Sequence, residues 1–146
     1  MNERVRAILI TPAGTMLVIR RVRPGHPPYW VLPGGGVESG DASLEAALAR
    51  EIWEEVAGVP EVAGLLTVLT SERERGYYYL ARIRQWSFAD RTGPEFSEPG
   101  SGSYELQELP LTVAALDSVN LKPDDLAAWL RAILAGDGLF AQPFLR

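Results

Sequence analysis

The chain has 146 residues, 47% of them hydrophobic and 23% charged, with no cysteine and a formal net charge of −5. These are globular proportions, and the length suits a single domain over residues 1–146 with an ordinary hydrophobic core. The missing cysteines exclude a disulfide framework and thiolate metal sites, and the acidic balance argues against stable nucleic-acid binding.

In chain order, Val5 to Ile10 reads as a strand, Thr11-Pro12-Ala13-Gly14-Thr15 as a turn, and Met16 to Val22 as the hairpin partner. Arg23 to Pro28 is too rich in proline for regular structure. Tyr29 to Leu32 is a short strand delivering the turn Pro33-Gly34-Gly35. A helix is expected from the N-cap Ser43 to Gly58, with Gly58 as a left-handed cap. Val62 to Ser71 and Tyr77 to Arg84 read as two further strands, separated by the charged turn Glu72 to Gly76. Arg91 to Ser103 is a polar loop of Gly, Pro and Ser, long enough to suggest function or disorder. Tyr104 to Leu111 returns as an edge strand. A last helix opens at Lys122-Pro123-Asp124-Asp125, with proline at its first position and aspartates at the positive end of the dipole. Leu126, Trp129, Leu130, Ile133 and Leu134 form its core stripe. Strands around one central and one terminal helix give an α+β class. No apolar run is long enough for a membrane span and MNERVRAILI lacks a signal-peptide pattern, so a cytoplasmic protein with no membrane partner is expected.

The segment Gly35 to Gly58 carries the chemistry. On a helical wheel Leu44, Leu48, Ile52 and Val56 make one apolar stripe, and Glu51, Glu54 and Glu55 fall in a neighbouring arc. Three carboxylates this close repel one another and are partly desolvated at the edge of a core. A divalent cation relieves both problems, and hard oxygen ligands suit Mg²⁺ or Mn²⁺. The competing reading is a solvated helix face with Arg50 paired to Glu54.

Arg50-Glu51-Ile52-Trp53-Glu54-Glu55, with the approach Trp30-Val31-Leu32-Pro33-Gly34-Gly35, resembles the signature of the Nudix (MutT-like) hydrolases. The match departs from the family pattern in two places. Asp41 stands where the family has Glu, one residue further from Arg50 than usual, and Ala57 occupies the family's closing glycine position. The resemblance implies an α/β/α sandwich with a mixed β-sheet between helices. It also implies Mg²⁺-dependent (or Mn²⁺-dependent) hydrolysis of a phosphoanhydride in a nucleoside diphosphate-linked substrate, with a nucleoside triphosphate or related nucleotide favoured. By the same resemblance Glu54 and Glu55 bind metal, Glu51 is a further ligand or the base that activates water, and Arg50 orients Glu51. Asp41 is a candidate outer ligand. Gly35 and Gly36 let backbone approach a phosphate closely, and Arg21 is the candidate phosphate-binding arginine among Arg20, Arg21 and Arg23. Glu98 is the candidate distant base, with Glu95 and Glu105 behind it. One ring of Tyr77-Tyr78-Tyr79 is a candidate for stacking on a nucleobase. His26 reads as an exposed loop residue, Trp30 and Trp129 as core. Trp53 either packs against a neighbouring element or marks a subunit contact in a homodimer. The rival function is a non-catalytic nucleotide-sensing Nudix module, suggested by the irregularities at Asp41 and Ala57.

Overall fold

The computed structural model describes residues 1–87 and 103–146. Its strands are β1 (Asn2–Ile10), β2 (Met16–Val22), β3 (Tyr29–Val31), β4 (Gly34–Gly36), β5 (Glu61–Thr70), β6 (Glu74–Arg82), β7 (Ser103–Leu109) and β8 (Leu121–Lys122). The helices are α1 (Leu44–Val56), α2 (Val113–Asp117) and α3 (Asp124–Ala135), followed by a 3₁₀ turn at Leu139–Ala141. The strands form one mixed sheet in the order β5-β6-β1-β2-β3-β8, with β4 pairing to β1 and β7 to β2. Among the described residues no helix is long and apolar enough to cross a membrane.

Strand alternation sends the two faces of the sheet into two cores. Val5, Ala7, Leu9 and Leu17 meet Ala47, Leu48, Ile52 and Val56 of α1. Ile8, Ile10, Met16 and Val18 meet Leu116 of α2 and Leu126 and Leu130 of α3, with Trp30 and Trp129 half-buried against them. Helices therefore cover both faces, the sandwich the sequence led us to expect. Each fully buried Leu or Ile contributes about 2 kcal/mol of transfer free energy, so the apolar stripe of α1 holds the acidic arc beside it in place.

One topological detail creates the cleft. β1 and β2 meet at Ile10↔Met16. Away from that point β1 pairs with β4 at Arg4 to Arg6, whereas β2 pairs with β3 at Ile19 to Arg21. The two strands diverge, and a gap opens between β1/β4 and β2/β3. Gly34 makes this possible: its φ is +145°, and a β-carbon there would overlap the Val5 carbonyl and lie 2.6 Å from Arg6 Cα.

Several boundaries differ from the expected ones for physical reasons. β6 starts at Glu74 rather than Tyr77 because Asn2 to Arg4 pair in parallel with Glu74 to Gly76, and this long-range ladder extends the strand into the charged stretch. The left-handed cap of α1 is Ala57 (φ 50°, ψ 40°), not Gly58; its N–H donates to Trp53 O. Gly58 is required for another reason, since a β-carbon there would meet the Gln85 carbonyl at 2.6 Å. Pro123 is the N-cap of α3 rather than its first helical residue. The strand at Tyr104 ends at Leu109, and Thr112 caps the short helix α2 that the sequence reading missed.

Candidate active site

Helix α1 begins where Ser43 Oγ accepts the Ala46 N–H at 3.0 Å. The apolar stripe along its length then fixes the phase of its polar side. Glu51 and Glu55, one turn apart, point into the gap between the diverging strands. That gap is a cleft of about 260 Å³ lined by Arg4, Ile19, Arg21, Val31, Gly35, Gly36, Glu51, Glu55 and Tyr104. Two glutamates and two arginines thus line one cleft with glycine backbone, the Arg4 Nε lying 3.6 Å from Glu74 outside it.

Glu55 is buried, at 7% exposure, and a buried carboxylate is tolerated only when hydrogen-bonded. The Gly34 N–H donates to its Oε1 at 2.7 Å, the short distance of a charge-assisted bond. Gly35 abuts Glu51, where a β-carbon would lie 2.5 Å from its carboxyl carbon. Gly34 and Gly35, expected in a turn, lie in strand β4, which serves both glutamates, one through an N–H and the other through the space a side chain would fill.

Arg50 is the hub that aims Glu51. Its Nε and Nη2 donate to the two Asp41 oxygens, both at 2.9 Å, and Nη2 also reaches the Gly36 carbonyl at 3.1 Å. Nη1 donates to Glu51 Oε1 at 3.0 Å and lies 3.6 Å from Glu54 Oε1. Asp41 is thereby committed to holding the 36–41 loop against α1: the Arg50 hydrogen bonds, helped by the Glu38 N–H at 2.8 Å, pull its pKa down to about 2. The Arg50 guanidinium is correspondingly held cationic, chiefly by Asp41. The extra residue in this loop is absorbed by a turn in which the Asp41 N–H donates to Glu38 O.

Glu54 sits beside Arg50 and does not line the cleft. Among the described residues no three acidic or imidazole side chains converge closely enough to hold one metal ion. The solvated pairing of Arg50 with Glu54 and the inward pair Glu51 and Glu55 thus coexist on one helix.

Arg21 lies in the cleft as expected. Its Nη2 donates to Tyr104 Oη, and its guanidinium lies 4.6 Å from the Tyr104 ring centroid and 5.5 Å from that of Tyr29. Its Nε is buried without a hydrogen-bond partner among the described residues. Arg20 goes to the other face, over Trp30 and 3.8 Å from Glu105, so Glu105 is directed away from the cleft. Glu98 and Glu95 lie outside the described residues. Of the three consecutive tyrosines, Tyr78 and Tyr79 are buried in opposite cores, and Tyr77 donates to Glu3 at 2.6 Å. None of them lines the cleft; the cleft tyrosine is Tyr104. Trp53 is exposed. Arg4 and Tyr104 are the polar cleft residues that local sequence patterns did not single out. Their strand parity was readable, but the divergence of β1 from β2 that turns them inward was not.

A family model for the NUDIX domain matches residues 1–131. An uncharacterized Nudix hydrolase, NudL, from Enterobacter sp. (strain 638) is 41% identical over 81 residues, covering 47% of this chain and 39% of that protein. The chain thus spans about two-fifths of the length of the curated relatives it matches. Among solved structures, a MutT Nudix hydrolase from Burkholderia pseudomallei superposes with a TM-score of 0.58 at 24% identity, over 90% of this chain and 95% of the other. An ADP-ribose pyrophosphatase from Streptococcus suis 89-1591 gives a TM-score of 0.60 at 18% identity, over 90% of each chain. With the glycine strand β4 and the helix carrying Arg50, Glu51 and Glu55 inside the matched span, the chain belongs to the Nudix family.

Proposed function

We propose that this protein hydrolyses a phosphoanhydride in a nucleoside diphosphate linked to a further moiety, nucleoside triphosphates being the simplest such substrates. The observation that carries this reading is the shared cleft, which Glu51 and Glu55 line together with Arg4 and Arg21. The donor set fits a hard divalent cation: Mg²⁺ binds through one or two carboxylates and takes its other ligands from water and substrate phosphates. Glu51 and Glu55 would hold Mg²⁺ or Mn²⁺ there, and Glu54 would join as an outer ligand by releasing Arg50. Bound in that place, the ion neutralises phosphate oxygens and acidifies water.

The protein's own groups supply the rest. Arg21, whose Nε has no hydrogen-bond partner among the described residues and whose guanidinium lies near the Tyr29 and Tyr104 rings, presents a fork to a phosphate oxygen. Arg4, whose Nε lies 3.6 Å from Glu74, also lines the cleft and would add a second positive charge on turning from that partner. Arg50 fixes the Glu51 carboxylate so that it accepts a proton from water in a constant orientation. Gly35 and Gly36 leave the wall low enough for phosphate to approach backbone. Glu98 remains our candidate for a second base.

The test is product release from a nucleotide panel with and without Mg²⁺, with mass identification of the products. We expect Glu51→Gln and Glu55→Gln to lose at least about 100-fold in kcat and Glu54→Gln to lose less. Wild-type turnover in both inner variants would sink the assignment. Thermal stabilisation by nucleotides with no turnover would favour a sensing module instead.

A further inference from the structure

A second cavity, of about 340 Å³, is lined by Arg23, His26, Pro27, Tyr29, Asn120 and Lys122. Its walls come from the connection after β2, the first residue of β3 and the segment entering β8. Lys122 is the only lysine and His26 the only histidine of the sequence, and both face this one cavity. Among the described lining residues Arg23 and Lys122 are cationic and none is acidic, in a chain of net charge −5. Tyr29 forms a wall of this cavity and also carries the guanidinium of Arg21, a residue of the first cleft, 5.5 Å from its ring centroid. Tyr29 thus links the two spaces, lining one and lying near a lining residue of the other.

We infer that this cavity binds a phosphomonoester carried elsewhere on the same substrate, with the diphosphate in the first cleft and Tyr29 between the two anions. The inference rests on the proposed phosphoanhydride reading of that cleft and narrows its substrate class. Arg23 offers a planar fork and Lys122 a compact ammonium, a complementary pair for a dianion. Lys122 Nζ already contacts Asp124 Oδ1 at 2.7 Å, but the Asp124 side chain is 82% exposed. Such a pair is worth little and yields to a phosphate. The backbone beneath the two cations is held in place, since the Trp30 N–H donates to Asn120 O at 2.9 Å and ties the β8 side of the cavity to β3. Pro27 and the Tyr29 ring supply the apolar surface against which a sugar can rest.

The experiment compares binding of adenosine 3′,5′-bisphosphate with that of adenosine 5′-monophosphate by calorimetry, without metal and hence without turnover. The wild type should prefer the bisphosphate by about tenfold. The double variant Arg23→Ala/Lys122→Ala should reduce that ratio to within about twofold. Lys122→Arg, which keeps the charge, should retain most of it. Arg84→Ala, which removes a cation paired with Glu61 outside both spaces, should leave it intact. Equal affinity of the wild type for the two ligands overturns the inference. So does a full preference in the double variant, or an equal loss in Arg84→Ala, which would mark a long-range charge effect. Melting curves confirm that each variant is folded, and the wild-type comparison decides the matter even if the double variant is not. Failure of the hydrolytic reading would appear separately, as absence of Mg²⁺-dependent turnover across the nucleotide panel.

Discussion

Gly35 and Glu51 touch so closely that a β-carbon on the glycine would stand 2.5 Å from the glutamate's carboxyl carbon. The obstacle is the far end of a flexible side chain, so alanine at position 35 can be accommodated by swinging the carboxylate away. We expect Gly35→Ala to melt within a few degrees of wild type and to lose on the order of 100-fold in kcat, as a displacement of about 1 Å at a reacting group does. Gly34→Ala meets backbone instead, at φ +145°. It should lose about 2 kcal/mol or more of stability, a fall in Tm of roughly 5 °C or more. Gly36→Ala, with nothing within 4 Å of its β-carbon, should melt like wild type, and because Gly36 lines the cleft any loss it shows belongs to turnover alone. Thermal melts and turnover on the three variants check the series; equal behaviour would refute it.

Glu55 permits a separation of fold from metal binding. Glutamine at 55 keeps an oxygen to accept the Gly34 N–H, whereas leucine leaves that donor without this acceptor, costing about 1–3 kcal/mol. The expected outcome is a near-wild-type melt for Glu55→Gln and a clear destabilisation for Glu55→Leu. Mg²⁺ should raise the Tm of the wild type by mass action and leave that of Glu55→Gln unchanged. A Mg²⁺-induced rise of equal size in the glutamine variant would remove Glu55 from the metal site.

Asp41 gives the pH signature. Its pKa falls from 3.8 to about 2 because of Arg50 first and the Glu38 N–H second. A carboxyl with a depressed folded pKa contributes stability that is complete above its unfolded value and is lost as pH falls through the folded one. The window is therefore from about pH 4 down to about pH 2. A carbon-detected NMR titration of Asp41 should show a midpoint near 2, and Arg50→Met should return it towards 3.8. Asp41→Asn should loosen the 36–41 loop and reduce kcat through Glu51, with KM changed less. An Asp41 midpoint near 4 in the folded wild type would contradict the clamp.

Much of this was legible in the chain. The phase of the apolar residues in α1 fixed which face carried Glu51, Glu54 and Glu55, and the same stripe does bury against the sheet. What the wheel could not separate was Glu54 from its neighbours, because that depends on where Arg50 spends its five donors. Asp41 read as a candidate outer metal ligand, whereas in space it meets Arg50 through both oxygens. Arg4 and Tyr104 became cleft residues only through the divergence of β1 and β2, a long-range pairing choice that local periodicity does not encode. The start of β6 at Glu74 moved for the same reason.

Ala57 turns the other irregularity into a measurable quantity. It closes α1 in the left-handed region at φ 50°, where an L-residue with a β-carbon is disfavoured by roughly 1–2 kcal/mol relative to the right-handed region. Glycine removes that strain but releases backbone entropy in the unfolded chain, offsetting part of the gain. Ala57→Gly should therefore stabilise by about 0.5–1 kcal/mol, a rise in Tm of roughly 2–4 °C. Activity should be unchanged, since the cap follows Glu55 and its N–H bonds back to Trp53. Gly58→Ala provides the contrast: its β-carbon would enter the Gln85 carbonyl and the Ile83 side chain, so it should destabilise at the neighbouring position. A melt in which Ala57→Gly lowers Tm as much as Gly58→Ala would show that the helix end is set by something other than this left-handed cap.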